Sequence, residues 1–166
     1  ALSMSTRIPL LLGRPRPVNL AVALREAFVA LNDLVLVRLA AAGHHDVRSA
    51  HAAVFQYLDD SGTTVSVLAE RAQMTKQAMA ELVAHLEAHG YLTREPDPGD
   101  RRAKLVLPTE RGREVIALAQ GMVPELESAI AQEVSEERLV TLRRDLESIR
   151  KAALAYKNTL NASSVG

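Results

Sequence analysis

The chain has 166 residues, and its 20 Lys and Arg side chains balance 20 Asp and Glu side chains, so the formal net charge is zero. That length suits one compact domain, with or without an extension. With no cysteine in the chain, disulfide scaffolds, thiolate metal sites and cysteine redox sensors are excluded. Aromatic residues make up only 3% of the chain, so leucine, valine and alanine must build a core that favours helix.

Charge and hydropathy also limit the partners. The longest charge-free stretches reach about half of the ~20 apolar residues that a membrane span needs, so we expect a soluble cytoplasmic protein with no membrane partner. Residues 1–60, 61–113 and 114–166 carry formal charges of +1, +1 and −2. A nucleic-acid partner would therefore have to meet a local basic patch rather than a polycation.

The first 18 residues are basic and rich in proline. They contain no acidic residue. Their basic residues are Arg7, Arg14 and Arg16, and their prolines are Pro9, Pro15 and Pro17. Each proline biases the residue before it toward extended backbone. We therefore predict an extended basic N-terminal arm over residues 1–18.

A long apolar segment follows Asn19, a residue that caps helices well. Between Leu20 and Leu39, apolar residues recur at the i, i+3, i+4 spacing of a helix face. Other faces carry apolar side chains too, among them Val22 and Val37, so more than one side should be buried. We predict a helix over residues 19–43.

Shorter elements follow in residues 44–108. We predict a second helix over about 47–59, and Ser66 can cap a third helix over residues 67–72. Thr75 can cap a fourth helix that runs to His89. Helix, tight turn and helix form the helix-turn-helix pattern.

A β-hairpin is predicted directly after the fourth helix. Tyr91–Arg94 and Lys104–Leu107 are strand-like, and Pro96–Asp100 is a turn-rich loop between them. The tip of this hairpin carries Asp100, Arg101 and Arg102. A hairpin in this position is the wing of a winged helix.

Two helices are predicted over residues 109–160, with Thr109 and Ser135 as their N-caps. In the second of them, apolar residues alternate at spacings of three and four, which is a heptad seam. The seam comprises Leu139, Leu142, Leu146, Ile149, Ala153, Tyr156 and Leu160. Residues 161–166 are predicted to be a frayed tail.

The motifs LAERA, HLEAHGYLTR, DPGDRR and PTERG stand in this order between Val65 and Gly112. This span resembles the winged helix-turn-helix of the multiple antibiotic resistance regulator (MarR) family, and with the flanking helices the resemblance covers about residues 19–160. It implies a mostly α fold with a small β-wing: a winged helix-turn-helix (44–108) plus N- and C-terminal dimerisation helices (19–43 and 109–160).

The function that the resemblance implies is that of a homodimeric, sequence-specific regulator of transcription that binds double-stranded DNA. We expect a repressor of a near-palindromic operator that is relieved by a small ligand. The dimer also agrees with the pattern of the long helices, which carry more apolar surface than one small domain can cover. The alternative for the heptad seam is packing within the monomer.

Candidate DNA contacts lie at the start of the fourth helix, because a recognition helix faces base edges with its N-terminal residues. Gln77 can pair with adenine, and Lys76 can reach guanine or phosphate. Glu81 opposes this interpretation, since a carboxylate repels phosphate. The alternative is an ordinary solvated helix face. The full candidate set on this helix is Thr75, Lys76, Gln77, Ala80, Glu81 and His85.

In the wing, an arginine at a hairpin tip can enter a narrow minor groove. By resemblance this residue is Arg102, held by Asp100, while Arg101 and Lys104 contact phosphates. An ordinary charged hairpin is the alternative.

An effector site is a weaker expectation. Arg38, Arg48 and His51 lie near the junction of the predicted first two helices and could meet an anionic or aromatic ligand, although ordinary ion pairing is the simpler interpretation. The neighbouring His44 and His45 lack the firm carboxylate partners of a metal site, so we predict no metal.

No enzyme motif is present: the sequence has no Gly-rich phosphate loop, no G-x-S-x-G and no paired-His zinc helix. We predict no catalytic residue and no cofactor. The alternative to a DNA-binding regulator is a winged-helix protein-interaction module without DNA binding.

Overall fold

The computed structural model describes residues 10–15 and 19–163. The chain divides into two units, one ending at Leu118 and the other beginning at Ala119. Among the described residues, no helix combines the length and the apolar character needed to cross a membrane.

Part of the predicted arm is a small ribbon. Strands β1 (Leu10–Leu11) and β2 (Arg14–Pro15) pair antiparallel. Leu12 and Gly13 between them have φ of 52° and 74°, as a tight hairpin turn requires. The prediction of an arm extended throughout is thus corrected over residues 10–15, and its remainder lies outside the described residues.

Helix α1 spans Leu20–Ala41. The Asn19 side chain accepts a hydrogen bond from the backbone N–H of Val22 at 3.0 Å, which confirms the predicted cap. Leu39 is the buried residue of this helix. Several of its large apolar side chains are exposed in the single chain, namely Leu20, Val22, Phe28, Leu31, Leu34 and Val37.

The second predicted helix is much shorter than expected. A 3-10 turn, Ser49–His51, leads into α2, Ala52–Phe55. The prediction of a helix over 47–59 is wrong, because the helix ends at Phe55 and Asp59 lies in the loop before the next helix. Its backbone N–H donates to the hydroxyl of Thr63 at 2.9 Å.

Helices α3 (Val65–Arg71) and α4 (Lys76–Ala88) form the helix-turn-helix. The cap of α3 is Thr64 rather than the predicted Ser66, because the Thr64 hydroxyl accepts from the N–H of Val67 at 3.3 Å. The cap of α4 is Thr75, as predicted, and its hydroxyl accepts from Ala78 N–H at 3.1 Å.

The wing consists of β3 (Leu92–Asp97) and β4 (Asp100–Pro108), paired antiparallel from Leu92 opposite Pro108 to Asp97 opposite Asp100. Pro96 was expected in the loop but lies in β3. A two-stranded sheet accommodates it, since the free edge of β3 needs no N–H donor at that position.

The core of the first unit lies beneath these elements. Its largest fully buried side chains are Tyr91, Leu68, Met79, Leu86, Val54, Val83, Val106 and Val115. They come from α2, α3, α4, the wing and the start of the next helix, so the recognition elements share one core.

Helix α5 spans Glu110–Val134 and includes Pro124, and α6 spans Glu136–Ser163. Ser135 between them has φ of 72°, and its hydroxyl accepts from the N–H of Arg138 at 3.3 Å. Helix α6 therefore begins at the predicted cap. It runs three residues past the predicted end, so the frayed tail is corrected for residues 161–163, and 164–166 lie outside the described residues.

Candidate nucleic-acid interface

Helix α4 buries one face and exposes the other. Met79, Val83 and Leu86 are fully buried, which fixes the orientation of the helix on the core. Gln77 and Glu81 are exposed and lie one turn apart on the opposite face. The N-terminal turn of α4 is therefore open to a partner along its outer face.

The first residues of α4 suit a contact with nucleic acid. Thr75, Lys76 and Gln77 are all exposed, and Ala80 one turn later is half-buried. The Thr75 hydroxyl is occupied as the helix cap. The ammonium of Lys76 and the amide of Gln77 thus remain as the groups that can reach a base edge or a phosphate.

His85 has a different position from the other candidates on this helix. Its ring is half-buried, and its Nε2 lies 3.1 Å from the carbonyl oxygen of Asp46. The ring also stacks on His51, with centroids 4.6 Å apart. The structure thus directs His85 toward residues 46–51 rather than along the outer face of α4.

Two aspartates order the tip of the wing. Asp97 Oδ1 accepts from the N–H of Gly99 at 2.8 Å, and Asp100 Oδ1 accepts from the N–H of Arg102 at 3.0 Å. Asp100 therefore acts on Arg102 through its backbone. Both carboxylates are occupied by backbone donors on the tip itself.

The cationic side chains of the wing point outward. Arg101, Arg102 and Lys104 are exposed, and they lie on β4 close to the turn. A hairpin with this distribution can place an arginine in a groove and further cations near phosphates.

Wing and α4 are connected at the base of the hairpin. Arg94 Nε donates to Glu87 Oε2 at 2.9 Å, which joins β3 to the last turn of α4. At the other edge, Thr63 exchanges two backbone hydrogen bonds with Val106, at 2.9 and 2.8 Å. The wing is therefore held on both sides.

Local sequence patterns do not predict the contacts that hold the wing and the loop before α3. Arg71 donates to Asp59 Oδ2 at 2.9 Å and to the carbonyl of Tyr57 at 2.8 Å, which secures the loop before α3. The partners lie far apart in sequence, so local patterns carry no signal for them. The short β-prone run at Thr63 was a signal for its bridge to the wing.

The three candidate effector residues occupy different environments. His51 is only 3% exposed, and its Nδ1 accepts from the N–H of Arg48 at 2.8 Å. Burial first, then the charges of His85, Arg48 and His89, lower the pKa of His51 to about 4. Arg48 is exposed at the start of the 3-10 turn, and Arg38 lies in the last turn of α1. His51 is thus a packed side chain rather than an open ligand contact.

A capped recognition helix followed by a two-stranded wing over one core defines a winged helix-turn-helix protein. Residues 45–103 match the model described as the MarR family. This part of the chain is thus similar to the winged helix-turn-helix of the MarR family, which confirms the resemblance.

Known relatives agree with this assignment. The chain is 38% identical over 61 residues to the transcriptional regulator HosA of Escherichia coli O111:H-, a match that covers 37% of this chain and 45% of HosA. The chain therefore spans less than half the length of these curated relatives. The relatives are transcription regulators and do not point to an enzyme family.

Solved structures extend the likeness in fold to most of the chain. MarR itself superposes with a TM-score of 0.67 at 22% identity, covering 87% of this chain and 97% of that one. A point mutant of S. aureus MepR, bound to an oligodeoxyribonucleotide, gives a TM-score of 0.52 at 19% identity, covering 82% and 99%. Both likenesses concern the fold.

Proposed function

We propose that the chain is a sequence-specific DNA-binding regulator of transcription that acts as a homodimer. The observation that carries this proposal is the exposed N-terminal turn of α4 beside a wing with arginines at its tip, on one core. The MarR-family match over the same residues supports it.

In this proposal α4 enters the major groove with its N-terminus toward the bases. Gln77 pairs with adenine, and Lys76 contacts guanine or a phosphate. Arg102 enters the minor groove, where narrow A·T-rich stretches concentrate negative potential, and Arg101 and Lys104 bind the flanking phosphates.

Glu81 gives the proposal a specific consequence. Its carboxylate is exposed one turn after Gln77, on the face that would meet the bases. A carboxylate accepts from cytosine N4 and repels phosphate. We therefore expect a C·G pair in each half-site next to the position that Gln77 reads, and a lower affinity for unrelated DNA than a basic residue would give.

Dimerisation is supported by apolar surface that the single chain leaves open. On α6, Leu142, Leu146 and Tyr156 are exposed to 48%, 37% and 67%. On α1, Phe28 and Val37 are exposed to 57% and 69%. Exposed apolar side chains in such numbers mark interaction surfaces. A twofold dimer presents two recognition helices to half-sites about one helical turn apart, which requires a near-palindromic operator.

We further propose that the protein is a repressor and that a small anionic or aromatic ligand releases it from DNA. Arg38 and Arg48 are the candidates for binding an anion, since His51 is buried. The ligand would change the separation of the two recognition helices, so that both half-sites can no longer be met at once. Titrating ligand classes while measuring operator affinity tests this step, and an affinity that no class changes would contradict it.

Selection from a pool of random duplex DNA at near-physiological salt tests the main proposal. Enrichment of a near-palindrome would establish sequence-specific dimeric binding. A folded dimer that enriches no sequence would favour the second candidate, a winged-helix module that binds protein. Zero net charge and the exposed Glu81 on α4 are the observations that favour that candidate.

A further inference from the structure

Three imidazoles form a stack beside the recognition helix. His51 of the 3-10 turn lies on His85 of α4 with ring centroids 4.6 Å apart and planes 17° apart. His85 adjoins His89, with centroids 4.2 Å apart. The stack therefore connects the segment before α2 to the last two turns of α4, on a flank that the proposed base contacts do not use.

The hydrogen bonds of the stack define which ring nitrogens carry a proton. The Arg48 backbone N–H donates to Nδ1 of His51 at 2.8 Å, so that nitrogen must be unprotonated. A carbonyl oxygen only accepts, so Nε2 of His85 carries a proton toward the carbonyl of Asp46 at 3.1 Å. Likewise Nδ1 of His89 donates to the carbonyl of His85 at 2.7 Å.

Charged groups surround the stack unequally. The groups facing His51 are His85 of α4, His89 directly after α4, and Arg48 at the start of the 3-10 turn, and none of them is an acid. The acid, Asp46, lies at the other end, 3.7 Å from Nε2 of His89. The surroundings of His51 thus oppose an additional proton on its ring.

Helix α5 supplies the remaining charges near Asp46. Arg111 lies 3.6 Å from the Asp46 carboxylate and donates to the Tyr91 hydroxyl at 2.9 Å. That hydroxyl is 3.3 Å from Nδ1 of His44, whose Nε2 lies 3.4 Å from a Glu114 carboxylate oxygen. The Asp46 carboxylate therefore lies near Arg111 with one oxygen and near His89 with the other.

We infer that His51 is a positioning residue for the recognition helix, and that it supports α4 only while its ring carries a single proton. The inference rests on the proposed function, because it concerns how α4 is presented to DNA. A second proton would occupy Nδ1, break the bond from Arg48 N–H and place a positive charge at stacking distance from His85. The lateral support of α4 would then be lost.

The direction of the pH dependence follows from the burial of His51. Its pKa is lowered from 6.5 to about 4 in the folded protein. Neutral His51 therefore contributes its full stability above about pH 6.5, and this contribution is lost as the pH falls from there toward about 4. Across that window the unfolding equilibrium constant should rise by up to about tenfold per pH unit.

The experiment compares the full chain with His51→Asn and with His45→Asn. Asparagine can still accept from Arg48 N–H but removes the ring and its titration. His45 is an exposed histidine six residues earlier, so it serves as the matched control. Urea unfolding between pH 7.5 and 5, ring proton NMR over the same range, and affinity for the selected DNA at pH 7.5 are measured for all three.

We expect the His51 resonance to titrate well below the ordinary histidine pKa of 6.5. The unfolding free energy of His51→Asn should fall less steeply with acidification than that of the other two proteins. At pH 7.5 the folded His51→Asn variant should bind DNA about two- to thirtyfold more weakly, the range for residues that act without touching the ligand. His45→Asn should match the wild type.

Two results would overturn the inference: titration of His51 at the ordinary histidine pKa of 6.5, or unchanged DNA affinity in folded His51→Asn. Failure of the proposed function can be told apart from failure of the inference. A wild-type chain that selects no DNA refutes the proposed function, while the NMR and unfolding data still measure the titration of the His51 ring. In that case the inference is also overturned as a statement about DNA presentation.

Discussion

Gly112 lies in close contact with the backbone of Tyr91. It lies in the first turn of α5, and a Cβ added there would collide with the carbonyl oxygen of Tyr91. Neither atom belongs to a flexible side chain, so the helix or the chain before β3 would have to shift. We expect Gly112→Ala to lower the free energy of unfolding by about 1–3 kcal/mol, the usual cost of overpacking.

The matched control is in the same helix. A Cβ added at Gly121 meets no heavy atom within 4 Å. Alanine in a helix interior is favoured over glycine by roughly 0.5–1 kcal/mol, so Gly121→Ala should be neutral or stabilising. Urea unfolding of both variants decides the matter, and equal effects would refute the close contact as the cause.

Three helix caps could be predicted from the sequence, whereas the close contact at Gly112 could not. Asn19, Thr75 and Ser135 each bond an N–H three residues ahead, so the whole interaction lies within one short segment. Gly112 depends on Tyr91, and no local pattern links the two. The contacts of His85 with Asp46 and His51 could not be predicted for the same reason, since these partners are distant in sequence.

Arg102 is the wing residue with the most specific predicted role. Its backbone is held by Asp100, and its side chain is exposed, so truncation should not disturb the fold. We expect Arg102→Ala to weaken operator binding by about tenfold, within the range of a single specific contact. Melting temperature and oligomeric state should be unchanged.

Fluorescence anisotropy with the selected duplex measures this loss. Arg144→Ala removes an exposed cation from α6 and serves as the control for net charge. If both variants lose affinity equally, bulk charge rather than the wing is responsible. If Arg102→Ala binds as the wild type does, the wing has no part in the mechanism.

At the scale of the element, two substitutions of Thr75 separate the stability of α4 from its proposed contact with DNA. The Thr75 hydroxyl caps the helix, and its loss in Thr75→Ala should cost about 1 kcal/mol. Thr75→Asp keeps a capping oxygen and favours the helix dipole, so its stability should match the wild type. Its negative charge next to Lys76 should nevertheless weaken DNA binding.

Thermal melts and DNA affinity of the two variants test this together. The expected pattern is a less stable Thr75→Ala and a stable Thr75→Asp with the greater loss of affinity. Unchanged DNA binding by Thr75→Asp would show that the start of α4 does not approach phosphate.

The starts of the long and strongly periodic helices agree with the sequence prediction, whereas the bounds of the short elements do not. Helices α4, α5 and α6 begin where their caps predicted, because propensity, periodicity and capping agree there. The α2 prediction failed because Arg71, which belongs to α3, holds the loop around Asp59. The wing is longer than predicted because its pairing, and not the turn propensity of Pro96, decides where the strands end.

At the scale of the whole molecule, the apolar seam of α6 has no buried member in the single chain. Its leucines recur at heptad spacing, the pattern by which helices of two chains pack. The polar face of the same helix is already occupied by local ion pairs, such as Arg150 with Glu147 at 2.9 Å. A second copy of the chain is the partner that we propose for this seam.

The double variant Leu142→Asn/Leu146→Asn tests the seam. Its control is Arg144→Asn/Lys151→Asn, which lowers the helix propensity of α6 by a similar amount. The double variant removes four leucine side chains per dimer. Complete burial of one leucine side chain is worth about 1.5–3 kcal/mol. The dissociation constant of the dimer should therefore rise on the order of a hundredfold or more. Sedimentation equilibrium measures it. Helix content of the leucine variant should stay close to that of the control, and operator affinity should fall together with the dimer, because a monomer presents only one recognition helix. A leucine variant that remains as dimeric as the control would show that the seam is not the contact between copies.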